Sequence, residues 1–440
     1  MQAEVSFHNQ HQNGDSNDIV HCEKSNFDNS MNIERYDLIL ILIGATILLA
    51  IAVMKITHSK TITAPIVYLI LSVILFFFLQ DQSIPHLAES SYFGKRLTEM
   101  GVILSLTIAG LKIKNPLNRK TWKYSSLLLL ITMPVTIAAV YFLGIWGLGF
   151  APASAMLLGA VIAPTDPVLA SDVQTTHPYE DDYSSARLAL TTEAGLNDGL
   201  AFPFTNMAIA MAVAGAAPSL WFADWLLIDF FYKIIGGVII GVFLGWVLAK
   251  IMFLLPILKD HNSKISLSLF TISLTLIPYG IAEIFGTYGF IAVFVAACVF
   301  RNAEAKTEYL GRLHDFSEVL EKIVVAILFL LAGSYLSLHF IDDFQWYMIP
   351  ITLVIIFLIR PAAGMLAIWP TSLPTTKKYI ISFYGIRGIG SMYYLLYAFY
   401  QADFEHSKEL LALLSVVIIM SVFFHGLTAR YVVARWTPNN

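Results

Sequence analysis

Four residues carry the chemistry this sequence offers: Asp166, Glu193, Asn197 and Asp198. They fall in two stretches, APTDP over 163–167 and TTEAGLNDG over 191–199. Each stretch sits inside an apolar run long enough to cross a membrane, which puts all four at membrane depth. Ionisable groups there are rare and mark ion pathways or proton relays. The chemistry they suit is that of a hard monovalent cation such as Na⁺, which takes oxygen ligands and needs a carboxylate to balance its charge. Asp198 supplies the charge, Asp166 further oxygen, and Thr165 a hydroxyl or carbonyl, so the cation is expected at Asp166 and Asp198. Burial favours the protonated form of a carboxyl group and a bound cation favours the ionised form. One buried Asp198 is therefore charged with the cation and neutral with the proton, and competition at that single carboxylate is sufficient for exchange.

Glu193 and Asn197 are four apart and share a helix face. Asp198, five beyond Glu193, points elsewhere. Glu193 and Asn197 thus suit support roles: Asn197 as a neutral amide bracing the TDP segment, Glu193 as one half of a buried ion pair. Its cation is expected to be Arg360, with Arg387 as the second choice.

The elements that hold these groups follow from composition. The chain has 440 residues, 57% of them hydrophobic and only 13% charged, with a mean hydropathy of +0.69. A soluble domain carries about 25% charged residues, so this is an all-α polytopic membrane protein with the lipid bilayer as its solvent. A net charge of −4 gives nucleic-acid binding no electrostatic support. Cys22 and Cys298 form neither a disulfide framework nor a metal site, and no cofactor or enzymatic centre is expected. Residues 1–35 are polar, lack an apolar signal-peptide core, and read as a disordered tail. Residues 36–436 form the membrane domain.

A spanning helix needs about 20 mostly apolar residues. Thirteen segments qualify: 37–55, 62–79, 97–113, 122–146, 151–174, 186–212, 226–254, 264–284, 286–300, 319–339, 345–369, 377–400 and 408–434. The stretch 286–300 is short, and 214–254 reads either as one tilted helix or as a turn plus a helix. An odd count puts the termini on opposite sides. With the N-terminus outside and the C-terminus in the cytoplasm, nineteen Lys and Arg fall on the cytoplasmic side against five outside, as the positive-inside rule requires. The expected location is the plasma membrane, specifically a bacterial inner membrane. Lys233, Arg360 and Arg387 remain inside spans. Lys233 is close enough to an end to snorkel, whereas the two arginines need anionic or carbonyl partners.

Two spans look broken. Pro164 and Pro167 flank Thr165-Asp166 in the fifth, and proline removes helix donors and clashes with the preceding turn. In the twelfth, Gly385, Gly388 and Gly390 surround Arg387, and glycine weakens a helix. Paired interruptions in the two halves of a chain point to inverted repeats with two discontinuous crossing helices. Asp166 would offset the positive half-helix ends and Arg387 the negative ones. Other polar residues have plainer readings. Glu99 reads as interfacial or part of an outer funnel, Glu180, Asp181 and Asp182 as a solvated acidic turn, His177 and His314 as loop histidines, and His425 as a packing residue.

APTDPVLASDV (163–173), TTEAGLNDGLAFPF (191–204), Arg360-Pro361 and GIRG (385–388) together resemble the NhaP-type branch of the monovalent cation/proton antiporters, the sodium/hydrogen exchanger family. The similarity covers nearly all of 36–436. It implies an NhaA/NhaP-like antiporter fold of thirteen helices, with a six-helix ion-binding core and a dimerisation domain. It also implies a homodimer and elevator-like motion. By the same resemblance Thr165, Asp166 and Asp198 surround the ion, Asn197 supports them, and Glu193 is salt-bridged to an arginine. Exchange of Na⁺ (or Li⁺ or K⁺) for H⁺ would be electroneutral, because an Asn-Asp pair carries one exchanging carboxylate. Two positions depart from relatives. Ala194 stands where some have Ser, and Ile108 where some have Glu, which thins the ligand set and leaves K⁺/H⁺ exchange as the alternative. No long regulatory tail follows residue 436, so regulation is expected from the membrane domain or a partner. A cation channel would need a filter-like repeat, and an intramembrane aspartyl protease a Gly-x-Gly-Asp motif; neither is present in the sequence.

Overall fold

The computed structural model describes residues 35–57, 63–79, 91–113, 116, 118–167, 169, 185–254, 264–303 and 309–436. Among the described residues the chain is helical, with no strand. The principal helices are α1 (Arg35–Thr57), α2 (Ala64–Leu79), α3 (Ser91–Lys112), α4 (119–148), α5 (Pro152–Ile162), α6 (Ser185–Ala214) and α7 (222–254). They continue with α8 (Lys264–Ile284), α9 (Gly289–Ala303), α10 (Tyr309–Leu338), α11 (348–368), α12 (Thr375–Phe383), α13 (Ile389–Gln401) and α14 (Ser407–Trp436). Each of the thirteen expected segments contains helix, and the fifth and twelfth are interrupted. Among the described residues, five stretches are long and apolar enough to cross a membrane: Thr121–Leu148, Phe222–Met252, Leu313–Leu338, Met348–Ile368 and Ser407–Ala429. The polar tail before residue 35, His177 and the acidic turn at 180–182 lie outside the described residues.

Helix is the form a chain takes in lipid, because every backbone N–H and C=O must find its partner within the segment. Leu48, Phe78, Trp246 and Leu358 point outward from the bundle, where hydrocarbon rather than water is the favourable neighbour. Of the two readings of 214–254, the second holds: a short 3₁₀ turn at Pro218–Leu220 precedes the long helix. Neighbouring helices approach closely through small residues. Gly237, Gly241 and Gly245 of α7 meet the carbonyls of Tyr288, Ala292 and Ala296, and a Cβ at any of the three would lie 2.6–2.8 Å from those oxygens.

Helices α4 and α11 share an irregularity. A wide π turn at Leu128–Thr132 precedes Met133-Pro134, and another at Ile355–Ile359 precedes Arg360-Pro361. A proline ring clashes with the carbonyl four residues earlier, and a π turn is one way a helix absorbs that clash. The next span is broken in both cases, by prolines after α5 and by glycines between α12 and α13. The fourth and eleventh segments are seven apart and run in opposite directions when every segment crosses. The matched defects thus give the chain two inverted units. Alternation also gathers the connections 149–151, 215–221, 285–288 and 402–406 at one end of the bundle. There Ser154 donates to the carbonyl of Glu405 at 2.6 Å and Phe150 stacks on His406.

Candidate functional site

The two breaks meet at the middle of the bundle. Helix α5 ends at Ile162, and residues 164–166 are non-helical and buried. Helix α12 ends at Phe383, and residues 384–388 are non-helical until α13 starts at Ile389. The Asp166 amide donates to the carbonyl of Ile386 at 2.7 Å. In return, the Ile389 amide donates to Asp166 Oδ2 at 2.6 Å, and Leu169 N donates to Oδ1 at 3.2 Å. The carboxylate therefore sits on the N-terminus of α13, where orphan amides and the helix dipole favour negative charge. At the opposite polarity, Arg387 Nε donates to the carbonyl of Ile162 at 2.9 Å, and Nη1 donates to the carbonyl of Gly385. The last carbonyls of α5 lack helical partners, and the guanidinium supplies one. Behind the break, Arg387 N donates to Ser421 Oγ at 3.0 Å. His425 spans from the carbonyl of Ser421 (2.8 Å) to that of Phe383 (3.2 Å), a packing role within α14.

Helix α6 passes beside this crossing. Asn197 Nδ2 donates to Thr165 Oγ1 at 2.6 Å, so the amide ties the continuous helix to the broken one. Of the two arginines, Arg360 reaches Glu193: Nη2 lies 2.7 Å from Oε1, with both side chains buried. Arg387 instead directs Nε and Nη1 to carbonyls, while its buried Nη2 makes no hydrogen bond. Asp198 is 1% exposed, and its Oδ1 makes no hydrogen bond, as does Asn197 Oδ1. The carboxylate of Asp166 is held at both oxygens by backbone amides, while that of Asp198 keeps an unclaimed oxygen. Unclaimed buried oxygens are costly and suit a cation or a proton as the missing partner.

Three contacts went unread in the sequence. Tyr394 of α13 donates its hydroxyl to the backbone carbonyl of Asp198. Gly390 faces the same residue, and a Cβ there would lie 2.8 Å from Asp198 Oδ1. Glu321 of α10 is a further buried carboxylate, hydrogen-bonded to Ser105 of α3 and within electrostatic range of Lys112 and Asp166. Gly390 belongs to the GIRGIG run already read as a helix break, and Tyr394 lies four residues beyond it, but their contacts with Asp198 are long-range. Glu321 stands at the edge of the 319–339 segment and was passed over there. Lys233 pairs with Asp229 at 2.7 Å, one turn nearer the start of the helix, with both side chains partly exposed. Glu99 departs from a merely interfacial reading, since it is buried.

The glycines of the twelfth break are there for close approach. A Cβ at Gly388 would run into Asp166 Oδ2 and Leu169 Cδ1. Gly388→Ala is expected to displace Asp166 from the α13 N-terminus and to cost about 1–3 kcal/mol, the usual range for overpacking a tight core. Gly44→Ala, with open space around it, should leave stability unchanged. Thermal unfolding of both variants in detergent checks this; equal behaviour would remove the close-approach argument.

Comparison with known proteins gives the same picture. The chain is 25% identical over 420 residues to the Na⁺/H⁺ antiporter NhaH of Halobacillus aidingensis, covering 90% of this chain and 98% of that one. It is 26% identical over 320 residues to the Na⁺/H⁺ antiporter NhaG of Bacillus atrophaeus, covering 69% of this chain and 57% of NhaG. It is 26% identical over 296 residues to the K⁺/H⁺ antiporter NhaP of Alkalimonas amylolytica, covering 66% of this chain and 48% of NhaP. The chain thus spans about half the length of two of these relatives and nearly all of the third. The fold matches that of the sodium proton antiporter MjNhaP1 of Methanocaldococcus jannaschii, with a TM-score of 0.72 at 18% identity over 91% of this chain and 99% of that one. The sequence profile of the transmembrane sodium/hydrogen exchangers matches residues 43–435, which take in both crossing breaks and every charged residue of the site, so the chain belongs to the sodium/hydrogen exchanger family.

Proposed function

We propose that this protein is a secondary antiporter that exchanges Na⁺, or Li⁺ or K⁺, for H⁺ across the membrane, with Asp198 as the exchanging carboxylate. The observation that carries the reading is the unclaimed Asp198 Oδ1, buried at the crossing of two interrupted helices. Asp166, Thr165 and Asp198 surround the cation, with Asn197 holding Thr165 in place. Glu193, Arg360 and Arg387 form the scaffold: a buried ion pair and a carbonyl cap. When the cation leaves, a proton takes its place on Asp198, and the neutral site is the cheap one to move across a low-dielectric slab. One carboxylate carries one charge, so exchange is one for one and electroneutral. The chain works as a homodimer in the plasma membrane, a bacterial inner membrane, with its N-terminus outside and its C-terminus in the cytoplasm. Alternating access is elevator-like, with the crossing helices moving against the remainder.

The test uses purified protein in liposomes with a pH-sensitive dye inside, a pH gradient, and voltage clamped to zero. Na⁺, Li⁺ and K⁺ are added in turn. Dissipation by Na⁺ and Li⁺ but not K⁺ is expected of a sodium exchanger whose ligand set stays selective despite Ala194 and Ile108. Equal dissipation by K⁺ would favour a K⁺/H⁺ exchanger, as the Alkalimonas amylolytica relative is named. Repeating the assay at several clamped voltages should leave the rate unchanged, and a clear voltage dependence would overturn one-for-one stoichiometry.

A further inference from the structure

Glu99 stands near the start of α3, at the end of the bundle that carries the 215–221 and 402–406 connections. The residue is 6% exposed, yet nothing in the exchange site uses it. Its carboxylate joins three elements. Arg96, one turn away on α3, donates to Oε2 at 2.7 Å. Tyr279 of α8 donates its hydroxyl to Oε1. Tyr393 of α13 reaches the same oxygen at 3.5 Å. Helix α13 is the one whose N-terminus holds Asp166 and whose Tyr394 holds the Asp198 carbonyl. Tyr393 also stacks on Tyr397, and Tyr397 donates to Asn206 of α6 at 3.3 Å. Glu99 therefore grips the tyrosine face of the helix that shapes the ion site, and does so between that site and one face of the membrane.

The guanidinium and the Tyr279 hydroxyl make charge-assisted hydrogen bonds to this carboxylate, roughly twice as strong as neutral ones, and the Tyr393 hydroxyl meets it at the longer distance of 3.5 Å. The bond to Tyr279 ties α3 to α8, and Tyr393 brings α13 to the same carboxylate, so three helices meet at one directional node. We infer that Glu99, with Tyr279 and Tyr393, is a latch that positions α13 for exchange. Closed, it keeps α13 against α3 and α8 and shuts Asp198 off from the 215–221 face. Released, it lets Asp198 meet that face. The inference rests on the exchange reading for its purpose, while the contact itself is independent of what is carried.

The test reads access rather than transport. Ser391, one residue beyond Gly390, is 2% exposed, and S391C places a thiol beside the site. In a Cys22→Ser background the remaining native thiol, Cys298, is buried. A membrane-impermeant thiol reagent is applied to each face of oriented vesicles containing the full chain. Labelling from the 215–221 face should be slow with the latch intact and about tenfold or more faster in E99Q and Y279F, the size expected from losing about 1.4 kcal/mol of closing free energy. Labelling from the opposite face should not rise. An unchanged rate in both variants, or an equal rise at both faces, would overturn the latch, the second outcome meaning that Glu99 merely stabilises the fold. Y279F leaves every charge in place and serves where E99Q folds poorly. Faster one-sided labelling in a protein that moves no cation would keep the latch and overturn the exchange reading alone.

Discussion

Asp198→Ala abolishes cation-driven proton movement, down to the background of empty liposomes, and does not lower thermal stability. Both halves of this expected result come from the same geometry. Asp198 Oδ1 makes no hydrogen bond, and a buried polar group left unsatisfied costs about 1–3 kcal/mol, more when charged. Removing the carboxylate relieves that cost. The backbone carbonyl that receives the Tyr394 hydroxyl is untouched by the substitution, so the α6–α13 contact persists. With no carboxylate, neither cation nor proton has a site. Dye-loaded liposomes measure the first half and a thermal unfolding curve in detergent the second. Exchange surviving in Asp198→Ala would defeat the single-carboxylate mechanism. A sharp fall in stability would mean that the residue is structural.

Arg360→Ala and Glu193→Ala are expected to act in the opposite way, through the fold. The pair is 2.7 Å apart, at 1% and 4% side-chain exposure. Removing one partner leaves the other as an uncompensated buried charge, at a cost of about 3–5 kcal/mol. The double variant Glu193→Ala with Arg360→Ala leaves no orphan and should cost less than the two single changes added together. Arg360→Lys is not a conservative remedy, because the compact ammonium lacks the planar fork. Unfolding midpoints of the two singles and the double, read as a double-mutant cycle, check this. Single variants that are stable but inactive would move the pair from scaffold to mechanism.

The positions of the breaks were legible in the sequence because their causes are local. Pro164 and Pro167 forbid a regular helix wherever they occur, and three glycines around Arg387 weaken one without help from neighbours. The apolar segments, the 3.6-residue geometry that separates Glu193 and Asn197 from Asp198, and the need of buried arginines for partners are equally local. The fold class followed from these and the family resemblance from the quoted motifs, and the fold and family agree with the comparisons.

Partner identity was another matter. Glu193 and Arg360 are 167 residues apart, and Ile389 and Asp166 are 223 apart. No periodicity or spacing chooses between two arginines at such separations. In the folded chain Arg360 meets Glu193, while Arg387 is engaged by the carbonyls of Ile162 and Gly385. The roles of Tyr394, Gly390 and Glu99 are likewise contacts between helices that only packing brings together. By itself the sequence determined which groups must lie in the membrane and where helices fail, since burial and backbone geometry act residue by residue. Only the tertiary structure decided which groups satisfy one another, since a hydrogen bond is set by distances of a few ångströms that chain separation does not encode.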